Sequence, residues 1–397
     1  MKNTTEWDQN SSPDILIVTR TFLPNAGGIE EYAYNRCLQD PSRVIVLTSQ
    51  CAGHEKFDQA QPFPIHRWPV PSFLEYGALG SILKQFVYMF WLGLLCIRLF
   101  SLYRYKHIEW CHGYDFPILL FVRYVLPIRY FIYLHGNDLL CALKNPVFKI
   151  FFTYTLNISN GIVCNSSFTK DILQKGCNVY SPIYTINPTI RPSKFGLKEH
   201  LSCPTSHPNH VRELYNISSQ AIVILTVGRL VRRKGFNHII ESLPSLLGEG
   251  IDVHYLICGK GKIEPELRNL VSRLRLEDRV HFAGYIPDDK LASYYTACDL
   301  FAMLTFFDDQ ASSIEGFGIV YLEAGYFCKP VLAARVGGVV DAVFHEENGV
   351  LINSDSDEEI LDALYKLCKD EDLRHQLGKK GQELACRKTL HRILYSP

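Results

Sequence analysis

Short apolar runs followed by helix-like stretches recur along this chain. That alternation limits the folds open to it more than any other feature. DILIVT (14–19), RVIVLTS (43–49), HIEWCH (107–112), RYFIYLH (129–135) and GIVCNS (161–166) read as strands, with a long amphipathic segment over about 78–105. Strands alternating with helices imply a parallel sheet covered on both faces. A stretch rich in Pro, Ser, His and charge follows at 188–214 and reads as a linker. The pattern then restarts: AIVILTVG (221–228), VHYLICG (253–259), RVHFAG (279–284), DLFAML (299–304), KPVLAA (329–334) and GVLI (349–352). The expectation is an α/β chain of two doubly wound, Rossmann-like parallel-sheet domains. Its bounds are a disordered lead-in over 1–13, a first domain over 14–190, a linker over 191–214 and a second domain over 215–397. Ligands of such sheets bind beyond the carboxyl ends of the strands, so two facing domains predict a cleft for a small molecule.

Composition agrees with two ordinary cores. The chain has 397 residues, too many for one. Lys+Arg and Asp+Glu both number 41, so net charge gives no reason to expect nucleic acid. The 13 cysteines form no C-x-x-C pair and read as small buried hydrophobes in a reducing compartment, not as a zinc site. The polar N-terminus MKNTTEWDQNSSPD lacks the apolar core of a signal peptide. The longest apolar run, FVYMFWLGLLCI (86–97), falls well short of the roughly 20 residues a membrane span needs. A cytoplasmic chain is expected. Between 82 and 150, basic residues exceed acidic ones by five. This reads either as an apolar, basic surface for the cytoplasmic face of an anionic membrane or as ordinary core with solvated charges.

Several turns at strand ends carry chemistry. In PNAGGIE, Gly27 and Gly28 open a helix and would let backbone approach an anion, although a tight βα turn needs the same residues. In GRLVRRKG, Arg229 and Lys234 suit a phosphate at the first βα loop of the second domain, while Arg232 and Arg233 are expected to face solvent. In EGFGIVYLE, a helix starting near Gly318 would offer the N–H groups of Phe317, Gly318, Ile319 and Val320 to a phosphate or sugar oxygen. Glu315 before that helix and Glu323 within it could grip two parts of one extended ligand, or serve as a dipole partner and an exposed helix residue. His135 and Asp138 follow a strand in RYFIYLHGND; the His could bind a ligand oxygen or simply close the turn, and His112 sits in a similar place. VGGVVDA (336–342) is a second glycine turn, anion-friendly or merely tight.

Taken in order, G-R-x-x-x-x-K-G, E-G-F-G-I-V-Y-L-E, K-P-V-L-A-A-R-V-G-G-V-V-D and E-N-G-V-L-I resemble the retaining nucleotide-sugar glycosyltransferases of family 4, which have the two-domain GT-B fold. GGIEEY and DDQASSIEGFGIVYLEA are most similar to the phosphatidylinositol mannosyltransferase branch. The resemblance implies transfer of a sugar from a nucleotide diphosphate, GDP-mannose or a UDP-sugar, to a hydroxyl of a lipid or glycan. It implies no cofactor and no metal. Arg229 and Lys234 would neutralise the departing diphosphate, with Gly27 and Gly28 against it. Glu315 would meet sugar hydroxyls, Glu323 the ribose, and His135 the transferred sugar, with Asp138 beside it. The base would be read near Tyr285. The end of the chain departs from the pattern: no aromatic-containing helix returning to the first domain is apparent. An epimerase or hydrolase on the same architecture, and a non-catalytic nucleotide-sugar binder, remain as alternatives.

Overall fold

The structure is a computed structural model that describes residues 13–69, 77–197, 209–308, 313–387 and 391–395, without the side chains of 77–86, 209 and 392. The expected disordered lead-in, apart from Pro13, lies outside the described residues. The chain divides into two compact units, Met1–Ile186 with Leu390–Pro397, and Asn187–Thr389.

Unit 1 is built on strands β1 (Ile15–Val18), β2 (Val44–Ser49), β3 (Ile65–Trp68), β4 (His107–Trp110), β5 (Arg129–Leu134), β6 (Gly161–Cys164) and β7 (Ile183–Thr185). They form one sheet in the order β3-β2-β1-β4-β5-β6-β7, and every neighbouring pair is parallel. The central strands are apolar on both faces, and β1 and β6 are buried along their whole length. That is the pattern helices on both sides of a parallel sheet demand. One face packs around Leu16, Ile45, Ile108 and Ile132, the other around Ile15, Ile17, Val44 and Val46.

Unit 2 repeats the plan with β8 (Ile222–Val227), β9 (Val253–Cys258), β10 (Val280–Gly284), β11 (Leu300–Met303), β12 (Val331–Ala334) and β13 (Gly349–Ile352). The order is β10-β9-β8-β11-β12-β13, again all parallel. In each sheet the order reverses once, between β1 and β4 and between β8 and β11. Connections diverge to opposite faces at such a point, leaving room for a ligand at the strand ends.

Two boundaries differ from the sequence expectation. The stretch 191–214 is not a bare linker: the turn Pro192–Phe195 and the helix Asn209–Leu214 put Phe195 and Val211 into the core of unit 2. Residues 391–395 belong with unit 1 rather than with the second domain. Their 3₁₀ turn buries Leu394 and sends the Tyr395 hydroxyl to Glu109 Oε1 at 2.5 Å. An aromatic closing element is therefore present, as one short turn in place of a helix. It completes a buried polar centre in which Glu109 also accepts from Arg36 Nη2 at 2.6 Å and from the Tyr133 hydroxyl at 2.5 Å.

Candidate functional site

The switch point of unit 2 gathers charge. Beyond β8, Leu230 N–H donates to Lys260 O at 3.1 Å, holding the loop to the end of β9. The 3₁₀ turn Arg232–Lys234 ends at Gly235, at φ +67°. A Cβ on Gly235 would lie 2.0 Å from the Leu304 carbonyl oxygen, so glycine alone lets this turn rest on the end of β11. The turn thereby aims Lys234 at Glu315. Both the Lys234 ammonium and Arg233 Nη1, the latter at 2.8 Å, donate to Glu315 Oε2. Glu315 Oε1 has no partner among the described residues. Arg229 is exposed, pairs with no described residue, and lies near enough to oppose the charge of Lys234.

Burial works to raise the Glu315 carboxyl, and Lys234 and Arg233 overcome it, holding it down to about 2. Burial also draws the Lys234 ammonium below its ordinary value, against the pull of Glu315. The carboxylate gains from the pair while the ammonium loses, so the net contribution to stability is smaller than Glu315 alone suggests.

Backbone holds Glu315 in place. Gly338 N–H donates to the Glu315 carbonyl at 2.9 Å, and Gly337, at φ +59°, would set a Cβ 2.4 Å from that oxygen. The glycine turn at 336–342 is thus a tight connection that seats the Glu315 loop. Gly318, at φ +88°, precedes the helix Ile319–Tyr326, and Phe317 and Ile319 bury their side chains. The N–H groups of Phe317, Gly318, Ile319 and Val320 meet no acceptor among the described residues, which leaves the positive end of the helix open. Glu323 is on the same helix but buried and occupied: Lys194 Nζ donates to it at 2.6 Å and the Tyr295 hydroxyl at 2.8 Å. Tyr285 follows β10 and is exposed.

The switch point of unit 1 is less charged. The Thr19 hydroxyl donates to Thr21 O at 2.8 Å, so at 3.2 Å it accepts from His112 Nε2. His112 therefore presents a bare Nδ1, which is buried and unpartnered. His135 Nε2 donates to the Cys111 carbonyl at 2.9 Å, so its Nδ1 also faces away as an acceptor. The rings lie 6.0 Å apart, and burial lowers both below the usual histidine range. Asp138 holds this corner together. Its Oδ1 accepts from the N–H groups of His135 and Leu139, and its Oδ2 from Gly113 N–H, each at 2.9 Å. Backbone N–H groups thus reach both oxygens of that carboxylate, and Asp138 holds the backbone of His135 in place. At Gly27 a Cβ would lie 2.1 Å from Glu30 Oε2, so the Glu30 carboxylate rests over the helix start at Gly28.

The structure thus brings Lys234, Glu315 and the 317–320 backbone together in unit 2, with Arg229 at their edge. It sets Gly27, Gly28, His135 and Asp138 in unit 1. Arg233 corrects the sequence expectation, since it binds Glu315 and is largely buried, whereas Arg232 is exposed and pairs with Glu266. Lys194 was hidden inside the presumed linker, and nothing in its local sequence marks it.

Two doubly wound parallel domains, one with a cationic switch point beside an open helix start, are the architecture of a GT-B protein. The fold is that of the cyanobacterial HepE from Anabaena, solved with UDP and glucose (TM-score 0.74, 19% identity, 96% of this chain and 97% of that one). It is also that of sucrose-phosphate synthase from Thermosynechococcus elongatus (TM-score 0.76, 17% identity, 96% of each chain). Residues 210–384, most of unit 2, match the family described as glycosyl transferases group 1. A relative named GDP-mannose-dependent alpha-(1-6)-phosphatidylinositol monomannoside mannosyltransferase, from Mycobacterium tuberculosis, is 31% identical over 173 residues, 44% of this chain and 45% of that protein. The chain therefore spans less than half the length of that relative. Its namesake from Mycolicibacterium smegmatis is 24% identical over 379 residues, 94% of this chain and 93% of that protein.

Proposed function

We propose that the chain is a retaining glycosyltransferase that moves a sugar from a nucleoside-diphosphate sugar to a hydroxyl of a lipid or glycan, without a metal. The observation that carries this is the meeting of Lys234 and Arg233 on one oxygen of Glu315 beside the open N–H groups of residues 317–320. Breaking a sugar–phosphate bond builds negative charge on the diphosphate. Lys234, Arg229 and the N–H groups stabilise that charge where it develops. Glu315 Oε1 accepts from a sugar hydroxyl while Oε2 keeps the cations in position. Glu323 binds the ribose, exchanging its bond from Lys194 or Tyr295 for one from the ribose. His135 Nδ1 accepts from a hydroxyl of the transferred sugar. Gly27 and Gly28 approach the diphosphate once the Glu30 carboxylate swings aside, and backbone near Tyr285 meets the base.

Reaction occurs on one face of the sugar. The acceptor oxygen bonds to the anomeric carbon as the carbon–phosphate oxygen bond breaks. The bonding pair leaves with the diphosphate, which takes the acceptor's proton. The names of the mycobacterial relatives favour GDP-mannose as donor, and the UDP bound by HepE keeps a UDP-sugar in the test.

A thermal-shift panel of GDP, UDP, GDP-mannose and UDP-glucose tests the reading, because a ligand of the native state raises the melting temperature. One donor is expected to shift the protein, and Lys234→Ala and Arg229→Ala to lose most of that shift. A full shift in both variants would refute the diphosphate site. Nucleotide release that needs no acceptor would favour hydrolysis over transfer.

A further inference from the structure

Three neighbouring helices of unit 1 leave an apolar face uncovered: Gly77–Tyr103, Phe116–Val125 and Pro146–Asn157. The first two pack at Gly93, where a Cβ would lie at ordinary contact distance from Ile118, 3.4 Å, and from Phe121, 3.8 Å. The second and third meet through Phe116 and Phe148, with ring centres 5.7 Å apart, and through the hydroxyls of Tyr124 and Tyr154. Each helix turns a stripe outward at helical spacing. Trp91 and Leu94 are exposed on the first, Phe121 and Tyr124 on the second, and Ile150, Phe151 and Tyr154 on the third. Ile150 is 68% exposed and Tyr124 67%. A face with this many large apolar groups marks a contact surface.

Its charge has one sign. Between residues 87 and 160 the only acids are Glu109, Asp115 and Asp138, and all three are buried. Glu109 is bound to Arg36, Asp115 to Arg20 and Asp138 to backbone. The cations of the same stretch reach the surface: Arg98 one turn beyond Leu94, Arg123 between Phe121 and Tyr124, Lys144 just before the third helix and Lys149 in its first turn. A second copy docking here by two-fold symmetry would set these cations against themselves. An anionic bilayer fits instead. It takes aliphatic and aromatic groups into its interface, suits Trp and Tyr at the headgroup level, and attracts the surrounding cations. Among the described residues no helix is long and apolar enough to cross a membrane, so contact would be made by lying on the surface.

We infer that this three-helix face docks unit 1 onto an anionic lipid surface. The inference extends the lipid-acceptor reading but does not depend on the donor site.

Sedimentation with phosphatidylcholine vesicles, with and without phosphatidylglycerol, tests it. The wild-type protein is expected to bind the phosphatidylglycerol vesicles, and to be released by salt. Lys149→Gln and Arg98→Gln should each weaken binding roughly fivefold. The double variant Ile150→Ser with Phe151→Ser should abolish binding while leaving any donor thermal shift intact. Failure of the wild-type protein to bind anionic vesicles at low salt would overturn the inference. So would a wild-type dimer that the serine variant converts to monomer, because the face would then belong to a second copy. Loss of every donor shift with vesicle binding retained would instead sink the donor site and leave this face standing.

Discussion

Glu315 shows how one residue can brace two cations and still keep an oxygen open. Its Oε2 is held by two cations, and its Oε1 is open. Replacing Glu315 with Gln removes the negative charge that keeps Lys234 and Arg233 together. The folded-state carboxyl, at about 2, lies below the ordinary unfolded value near 4.3. The stability it contributes is therefore complete above pH about 4.3 and lost as pH falls toward 2. Lys234→Ala leaves Arg233 as the carboxylate's one cation and is expected to cost about 2 kcal/mol in urea unfolding, less than the loss of a sole partner. Donor affinity should fall further than stability does. His112→Phe would remove the bare Nδ1 without opening a cavity. If that nitrogen accepts from substrate, KM or kcat for transfer should worsen beyond what the modest fall in melting temperature from losing the Thr19 bond accounts for; unaltered kinetics would confine His112 to packing. At this scale, the sequence put Arg229, Lys234 and His135 in loops after strands and Glu315 in the loop before a helix, and the structure has them there. Arg233 was misjudged because adjacent basic residues look alike in sequence, and only the turn decides which of them points inward. Asp138 was placed in the right corner, yet its oxygens went to backbone.

At the level of elements, sequence reading found every strand of unit 2, including its edges β10 and β13, and the central strands of unit 1. The two it missed, β3 and β7, are the edges of the unit 1 sheet. IHRW carries His66 and Arg67, and IYT is a three-residue strand after a proline. Edge strands face water on one side and need neither length nor a continuous apolar run. Gly235 gives this scale its sharpest prediction. Alanine there meets both a left-handed backbone and the Leu304 carbonyl, so Gly235→Ala should destabilise unit 2 by about 2 kcal/mol or more by chemical denaturation. It should also weaken donor binding by displacing Lys234. Gly248 offers a control, since a Cβ there meets nothing within 4 Å and its φ is not left-handed.

For the whole molecule, the alternation of strands and helices foretold two parallel sheets. What it could not foretell was where the last turn goes, because a contact between residues 391–395 and residues 32–133 leaves no periodic trace. His391 shows how deeply that turn is set: burial lowers its imidazole to about 3, with Arg36 adding to the effect and Glu109 opposing it. Since the unfolded value is near 6.5, stability is full above that pH and falls by about 1.4 kcal/mol per unit below it for this group alone. Urea titrations at neutral pH and near pH 5 should show the loss, and His391→Gln should reduce it by about 2 kcal/mol. Tyr395→Phe removes the hydroxyl from buried Glu109 and is expected to cost about 2 kcal/mol.

The same turn orders events during synthesis. Unit 1 emerges from the ribosome first, yet the hydroxyl that caps its innermost carboxylate is translated only after all of unit 2. Until then Glu109 must wait with one donor short, so the earlier half of the chain cannot reach its final strength before the later half has been made.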